Sequence, residues 1–217
     1  MIADNLKNIK SSLPEGVTLV AVSKFHPVEK LMEAYAAGQR DFGESRVQEL
    51  LKKVVEMPDD VRWHFIGHLQ TNKVRQLLPV VGLIHSVDSE KLLEVIDREA
   101  QRIGKVVDVL LEVHVAQEES KFGFVEGSMS DLHLAKYENV RVRGVMGMAP
   151  NDDDEVLIAN EFERLRKVFE ELKTGEMAGV EYFNILSMGM SGDYGIAVKH
   201  GSTMVRVGTS IFGEREY

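Results

Sequence analysis

The chain has no cysteine. Disulfides, thiolate nucleophiles and cysteine metal centres are therefore excluded. No apolar run approaches the ~20 residues that cross a bilayer as a helix. Positive charge is scarce: 26 Lys and Arg stand against 35 Asp and Glu, for a net charge of −9. No Lys/Arg cluster offsets that balance, so a nucleic-acid surface is not expected. The stretch Met1 to Leu13 places Ile2, Leu6, Ile9 and Leu13 at helical spacing. It has no unbroken apolar core of the kind a secretory signal needs, so the expected location is the cytoplasm. There is no phosphate-binding P-loop and no His-Glu-x-x-His. Gly189-Met190-Ser191-Gly192-Asp193 is not a Gly-x-Ser-x-Gly elbow.

What remains is an ordinary soluble composition, 44% hydrophobic over 217 residues, which bounds the chain to one domain. Its pattern alternates strand and helix. Strand-like runs are Val17–Val22, Asp41–Gly43, Arg62–Ile66, Leu83–Val87, Val107–Val115, Val140–Met146, Tyr182–Ile185 and Thr203–Val207. Helical stretches lie between them. Pro27–Ala37 opens on proline and stops at Gly38, and Ser89–Ile103 opens on a serine cap and stops at Gly104. Asp152–Lys173 has an acidic first turn, and Asp193–His200 ends in basic residues before Gly201. About eight strands alternating with helices predict a (β/α)8 barrel over residues 1–217. A doubly wound fold would carry a glycine fingerprint after its first strand, where this chain has Ser23-Lys24.

Lys24 closes the first apolar strand, on the same face as Val20 and Val22. It either snorkels at the surface or delivers an amine to the barrel mouth, where barrel active sites lie. Desolvation there lowers a lysine's pKa and makes it a nucleophile toward aldehydes. After the last two strands come Ser187-Met188-Gly189-Met190-Ser191-Gly192 and Arg206-Val207-Gly208-Thr209-Ser210. Barrels often hold phosphate in these two places, with hydroxyls such as Ser191 and Thr209 and backbone amides opened by glycine. An amine beside a phosphate cradle points to pyridoxal 5′-phosphate. Arg206 shares a strand face with Met204 and Gly208, and either meets a ligand or forms a salt bridge inside the barrel. His64 and His68 could bind metal, but no carboxylate converges by spacing, which favours packing or a place at the cofactor mouth. The run Asp152 to Glu155 reads as a solvated helix start rather than a Mg²⁺ site.

With these residues in view, the chain resembles the pyridoxal phosphate homeostasis protein family, single-domain relatives of the alanine racemase barrel. The likeness is carried by Leu19-Val20-Ala21-Val22-Ser23-Lys24, by Gly38 to Glu44, by Val47-Gln48-Glu49 and by Trp63 to Lys73. It continues in Leu186 to Ser191 and in Gly201 to Gly213. The resemblance implies a TIM barrel of pyridoxal-phosphate fold type III with an extra N-terminal helix. It implies that Lys24 forms a Schiff base with the cofactor and that Ser191, Gly208 and Thr209 hold its phosphate. Arg206 would lie near the ring nitrogen or the phosphate, with His64 and Met190 also lining the site. Ser45 stands where the family usually has Asn; it is shorter and lacks the amide. The implied function is a carrier or buffer in the homeostasis of pyridoxal 5′-phosphate without an established reaction. The implied partners are the cofactor and apo-enzymes that take it up; the implied assembly is a monomer. The alternative is a pyridoxal-phosphate-dependent amino-acid racemase with Tyr194 as second acid/base group. A Schiff-base aldolase on a phosphosugar needs the same lysine and cradle but lacks the resemblance.

Overall fold

The computed structural model describes residues 1–115, 122–129, 132–150 and 152–214. Helix α1 (Ile2–Ser12) precedes strand β1 (Thr18–Val22). Then follow α2 (Val28–Ala36), β2 (Asp41–Glu44), α3 (Val47–Val54), β3 (Arg62–Phe65), α4 (Val74–Leu77), β4 (Leu83–Val87), α5 (Glu90–Arg102) and β5 (Val107–His114). The chain continues through β6 (Phe124–Val125), β7 (Val140–Met146), α6 (Glu155–Thr174), β8 (Ile185–Ser187), α7 (Tyr194–Lys199), β9 (Met204–Val207) and α8 (Thr209–Phe212). All strand pairs are parallel. Setting β6 aside, the strands run in order from β1 to β5, on through β7 and β8 to β9, and β9 pairs back with β1. The expected (β/α)8 barrel is present. The short β6 adds to the edge of β5 beyond the ring.

Alternation sorts the apolar residues into two cores. Val20, Leu83, Leu110, Met146 and Met204 pack together inside the barrel. The opposite strand faces, with Leu19, Phe42, Phe65, Ile84, Val109 and Val205 among them, join the larger layer under the helices. A strand buried on both faces reads as a continuous apolar run, as β1 does. α1 lays Ile2, Leu6 and Ile9 against this outer layer. Its Asn5 amide donates to the carbonyl of Ile211 at 3.0 Å, which ties α1 to α8.

The boundary cues act as expected at α5, where the Ser89 hydroxyl accepts from the Leu92 N–H and Gly104 turns left-handed at φ 63°. Two boundaries differ by more than one residue. α6 starts at Glu155, not Asp152, because Asp154 is its cap and accepts from the Val156 and Leu157 N–H groups. The seventh strand signal, Tyr182–Ile185, is displaced to β8, Ile185–Ser187. Phe183 sits in a turn closed by its N–H to the Val180 carbonyl, and its ring stacks on Phe169 of α6 at 5.2 Å. Its apolar character therefore belongs to helix packing. At Gly144 in β7, with φ 152°, an added Cβ would lie 1.8 Å from the Ile185 carbonyl oxygen. Only glycine lets β7 and β8 approach there.

Candidate functional site

Just beyond β1, two short bonds fix the segment that carries Lys24. The buried Ser23 donates its N–H to the Gly43 carbonyl at 2.9 Å and its hydroxyl to Glu44 Oε1 at 2.6 Å. On the other side, the Phe25 N–H donates to Glu49 Oε1 at 2.7 Å. Lys53 of α3 joins these anchors. Its Nζ donates to the Ser23 carbonyl at 2.9 Å, to Glu44 at 2.7 Å and to Glu49 at 2.8 Å. This ammonium is only 5% exposed and Glu44 is fully buried. Burial pushes the Glu44 carboxyl up, against the pull of Lys53. Phe25 is held at φ 69°, a left-handed conformation that costs a non-glycine residue about 1–2 kcal/mol. The clamp overcomes that cost and leaves Lys24 directed at a cavity of about 470 Å³ in the barrel mouth.

The adjoining wall of the cavity comes from the loops after β8 and β9, since β9 pairs with β1. Lys24, His26, Ser191, Gly192, Arg206 and Thr209 all line it, with Met190, Asp193 and Gly208 beside them. Gly189 takes φ 96°, and a Cβ there would fall 2.6 Å from that of Ala197. The loop can pass over α7 only with glycine at this point. Asp193 Oδ1 accepts the Met190 N–H, so that amide is committed to the loop itself. The Gly208 N–H donates to Ser191 Oγ at 3.2 Å, which leaves the Ser191 hydroxyl proton to be donated elsewhere. An added Cβ on Gly208 would meet Val22 at 3.1–3.2 Å.

Arg206 is 4% exposed. Its Nη1 donates to the Ser187 carbonyl at 2.9 Å and to Ser187 Oγ at 2.6 Å, and its Nη2 donates to the Gly147 carbonyl at 3.0 Å. Burial draws the guanidinium pKa down to about 10, with Asp193 and Glu112 opposing. Glu112, inside the mouth end of β5, is pushed up to about 7 by burial and by Asp88, with Arg206 opposing.

Two of the expected site residues are not in the lining. Ser45 follows β2 at the same end of the barrel but is not among the lining residues. His64 lies below the cavity, inside the barrel. Its Nε2 is 3.0 Å from Asp41 Oδ1 and its Nδ1 is 2.9 Å from His85 Nε2. Tyr194 is also outside the lining, with its hydroxyl 3.3 Å from Ser12 Oγ of α1. His68 stacks on Phe122 and meets Asp88. The residues that sequence reasoning passed over are His26, Lys53, His85, Asp193 and Glu112. His26 and Asp193 sit within two residues of positions that were singled out. The other three carry no motif: barrel closure brings His85 and Glu112 to their partners, and the packing of α3 against the end of β1 buries Lys53.

The alanine racemase N-terminal domain family matches residues 1–216. The pyridoxal phosphate homeostasis protein of Schizosaccharomyces pombe is 41% identical over 211 residues, covering 95% of this chain and 87% of that protein. The chain belongs to this family of homeostasis proteins. Its relative in Aquifex aeolicus carries the same name and is 41% identical over 202 residues, covering 92% of this chain and 87% of that protein. Among solved structures, PipY of Synechococcus elongatus PCC7942 without PLP superposes with a TM-score of 0.93 at 40% identity, covering 98% of this chain and 100% of that one. The same protein with PLP bound gives 0.90 at 38% identity, with the same coverage. Alanine racemase of Corynebacterium glutamicum, at 15% identity and a TM-score of 0.77, shares the fold, and this chain spans 61% of it.

Proposed function

We propose that this member of the homeostasis-protein family binds pyridoxal 5′-phosphate in the barrel mouth as a Schiff base with Lys24, and acts as a carrier or buffer of the cofactor. The observation that carries the reading is one cavity lined both by Lys24 and by Ser191, Gly208 and Thr209, which are far apart in sequence. When bound, the group supplies an aldehyde that condenses reversibly with an amine, releasing water, and a ring that absorbs visible light. The chain's own residues do the rest. The clamp of Lys53, Glu44 and Glu49 orients Lys24. The Ser191 hydroxyl, oriented by the Gly208 N–H, donates to the phosphate together with Thr209, as a charge-assisted bond. Arg206, held by Ser187 and Gly147, would donate toward the ring nitrogen. Met190 shapes the wall, since its amide is already spent on Asp193. Neither Ser45 nor His64 is given a direct contact.

The binding of PLP by a structural neighbour of 38% identity supports this reading. So does the match in name among the curated relatives. We read residues 1–217 as one domain working as a monomer in the cytoplasm. No helix among the described residues is long and apolar enough to cross a membrane. Apo-enzymes that require the cofactor are the proposed recipients. The test mixes loaded protein with such an apo-enzyme. Reactivation faster than cofactor release into buffer alone supports hand-over. Reactivation limited by that release would reduce the role to buffering, and no visible band on loading would overturn binding.

A further inference from the structure

Inside the barrel, five side chains from five strands touch in series. Asp41 begins β2, His64 lies in β3, His85 in β4, Ser187 ends β8 and Arg206 lies in β9. The contacts run Asp41 to His64 at 3.0 Å, His64 to His85 at 2.9 Å, His85 Nδ1 to Ser187 Oγ at 3.2 Å, and Ser187 Oγ to Arg206 at 2.6 Å. All five are buried. The series starts at the N-terminal end of the barrel, where Arg62 forms a two-bond pair with Asp41. It ends in the cavity that holds Lys24.

The two ends fix the direction of every bond between them. Arginine only donates, so Ser187 Oγ accepts from Arg206 and its own proton goes to His85 Nδ1. His85 must then carry its proton on Nε2 and donate it to His64 Nδ1. His64 in turn carries its proton on Nε2 and donates it to Asp41. Asp41 accepts only: burial opposes its charge, yet the bonds from His64 and Arg62 hold its pKa at about 2. The opposite direction would put a proton on both nitrogens of His64. It would also leave the Ser187 hydroxyl with no other acceptor among the described residues. Burial, then the neighbouring His64 and Arg206, also hold His85 well below the usual histidine range. The charged groups facing this chain are Asp41 and Arg62 at one end and Arg206 at the other, with Glu112 and Asp193 acting on Arg206.

We propose that Asp41, His64, His85 and Ser187 form a one-directional hydrogen-bond chain that holds Arg206 as a fixed donor toward the ring of the bound ligand. His64, His85 and Ser187 are then positioning residues for a ligand with a pyridine-type nitrogen. An arginine that can only donate keeps that nitrogen unprotonated and weakens the ring as an electron sink. The buried chain stops the guanidinium from rotating away when the ligand leaves. The direction of the chain follows from geometry in the ligand-free protein; the ring contact rests on the cofactor reading above.

Two measurements separate these parts. The first is the proton–nitrogen NMR spectrum of the histidine rings in ligand-free, ¹⁵N-labelled protein at about pH 7.5, where an unperturbed histidine is mostly neutral. His64 and His85 are each expected to carry one proton, on Nε2. A proton on Nδ1 of either ring, or a doubly protonated His64, overturns the chain. The second is the absorption spectrum and affinity of protein loaded with pyridoxal 5′-phosphate, for Ser187→Ala, His85→Phe and His85→Gln. Ser187→Ala and His85→Phe are expected to move the visible band and weaken binding about ten-fold, the scale of a hydrogen bond to a charged group. Their affinity for inorganic phosphate is expected to stay within about two-fold, since phosphate makes no contact with the ring-facing donor. His85→Gln, which can accept and donate at the same two places, is expected to restore the band. A purely structural role would lower the melting temperature and leave the band in place. An unmoved band in Ser187→Ala, which removes one oxygen, overturns the coupling even if His85→Phe fails to fold. No band in the unaltered protein would overturn the cofactor reading and the ring contact with it, while the nitrogen spectra still decide the chain.

Discussion

Glu112→Gln is expected to stabilise the protein at alkaline pH and to do nothing in acid. Leu110 belongs to the cluster inside the barrel. By alternation Glu112, two residues on, faces inward at the mouth. Burial and the Asp88 carboxylate raise its pKa from the ordinary 4.5 to about 7, and Arg206 only partly opposes them. A carboxyl whose folded pKa lies above its unfolded value binds its proton more tightly in the folded state. The resulting penalty is absent below pH 4.5, grows as pH rises, and is complete above about pH 7. At about 1.4 kcal/mol for each tenfold change in proton affinity, the penalty is about 3 kcal/mol. Glutamine keeps the shape and cannot ionise, so it removes the penalty. For a chain of this size that corresponds to a melting temperature higher by roughly 6–12 °C. The assay is a pair of thermal melts for both proteins, at about pH 4.5 and about pH 8, on either side of the titration. The curves are expected to coincide in acid and separate in base. An equal separation at both values, or none at either, refutes a raised Glu112.

Lys53→Met should cost about 3–5 kcal/mol, because it strands Glu44 and Glu49 beside a buried carbonyl. The loss should shrink in acid, where Glu44, already raised by burial, takes up a proton; thermal melts at two pH values read both effects, and a variant as stable as the parent contradicts the clamp. Ser191→Ala and Thr209→Val should each weaken pyridoxal 5′-phosphate about ten-fold or more while changing pyridoxal far less. Titration with both ligands measures this, and equal weakening would mean that these hydroxyls shape the pocket without touching phosphate.

Much of the barrel is legible along the chain because β/α units are local. Each apolar run, cap and glycine stop speaks for its own segment, as at Ser89 and Gly104. Lys24 and the two glycine-bearing loops are legible for the same reason: a barrel returns every strand end to one mouth. What is not legible depends on closure. Alternation turns His64 inward, but nothing near it in sequence reveals that His85 meets it from the adjoining strand β4, or that Ser187 and Arg206 reach the pair from the other side of the barrel. Lys53 reads as an ordinary helix-surface lysine paired with Glu49 four residues earlier. It is buried because α3 packs over the end of β1, a tertiary fact. Phe183 shows the converse error, where a strand-like residue is recruited by Phe169 of a helix.

Borohydride reduction of the protein loaded with pyridoxal 5′-phosphate, followed by peptide mass mapping, tests the central claim most directly. The account predicts a phosphopyridoxyl group on the peptide containing Lys24, and its loss in Lys24→Ala with the fold intact by circular dichroism. A label on a different lysine, or equal labelling in Lys24→Ala, would contradict it.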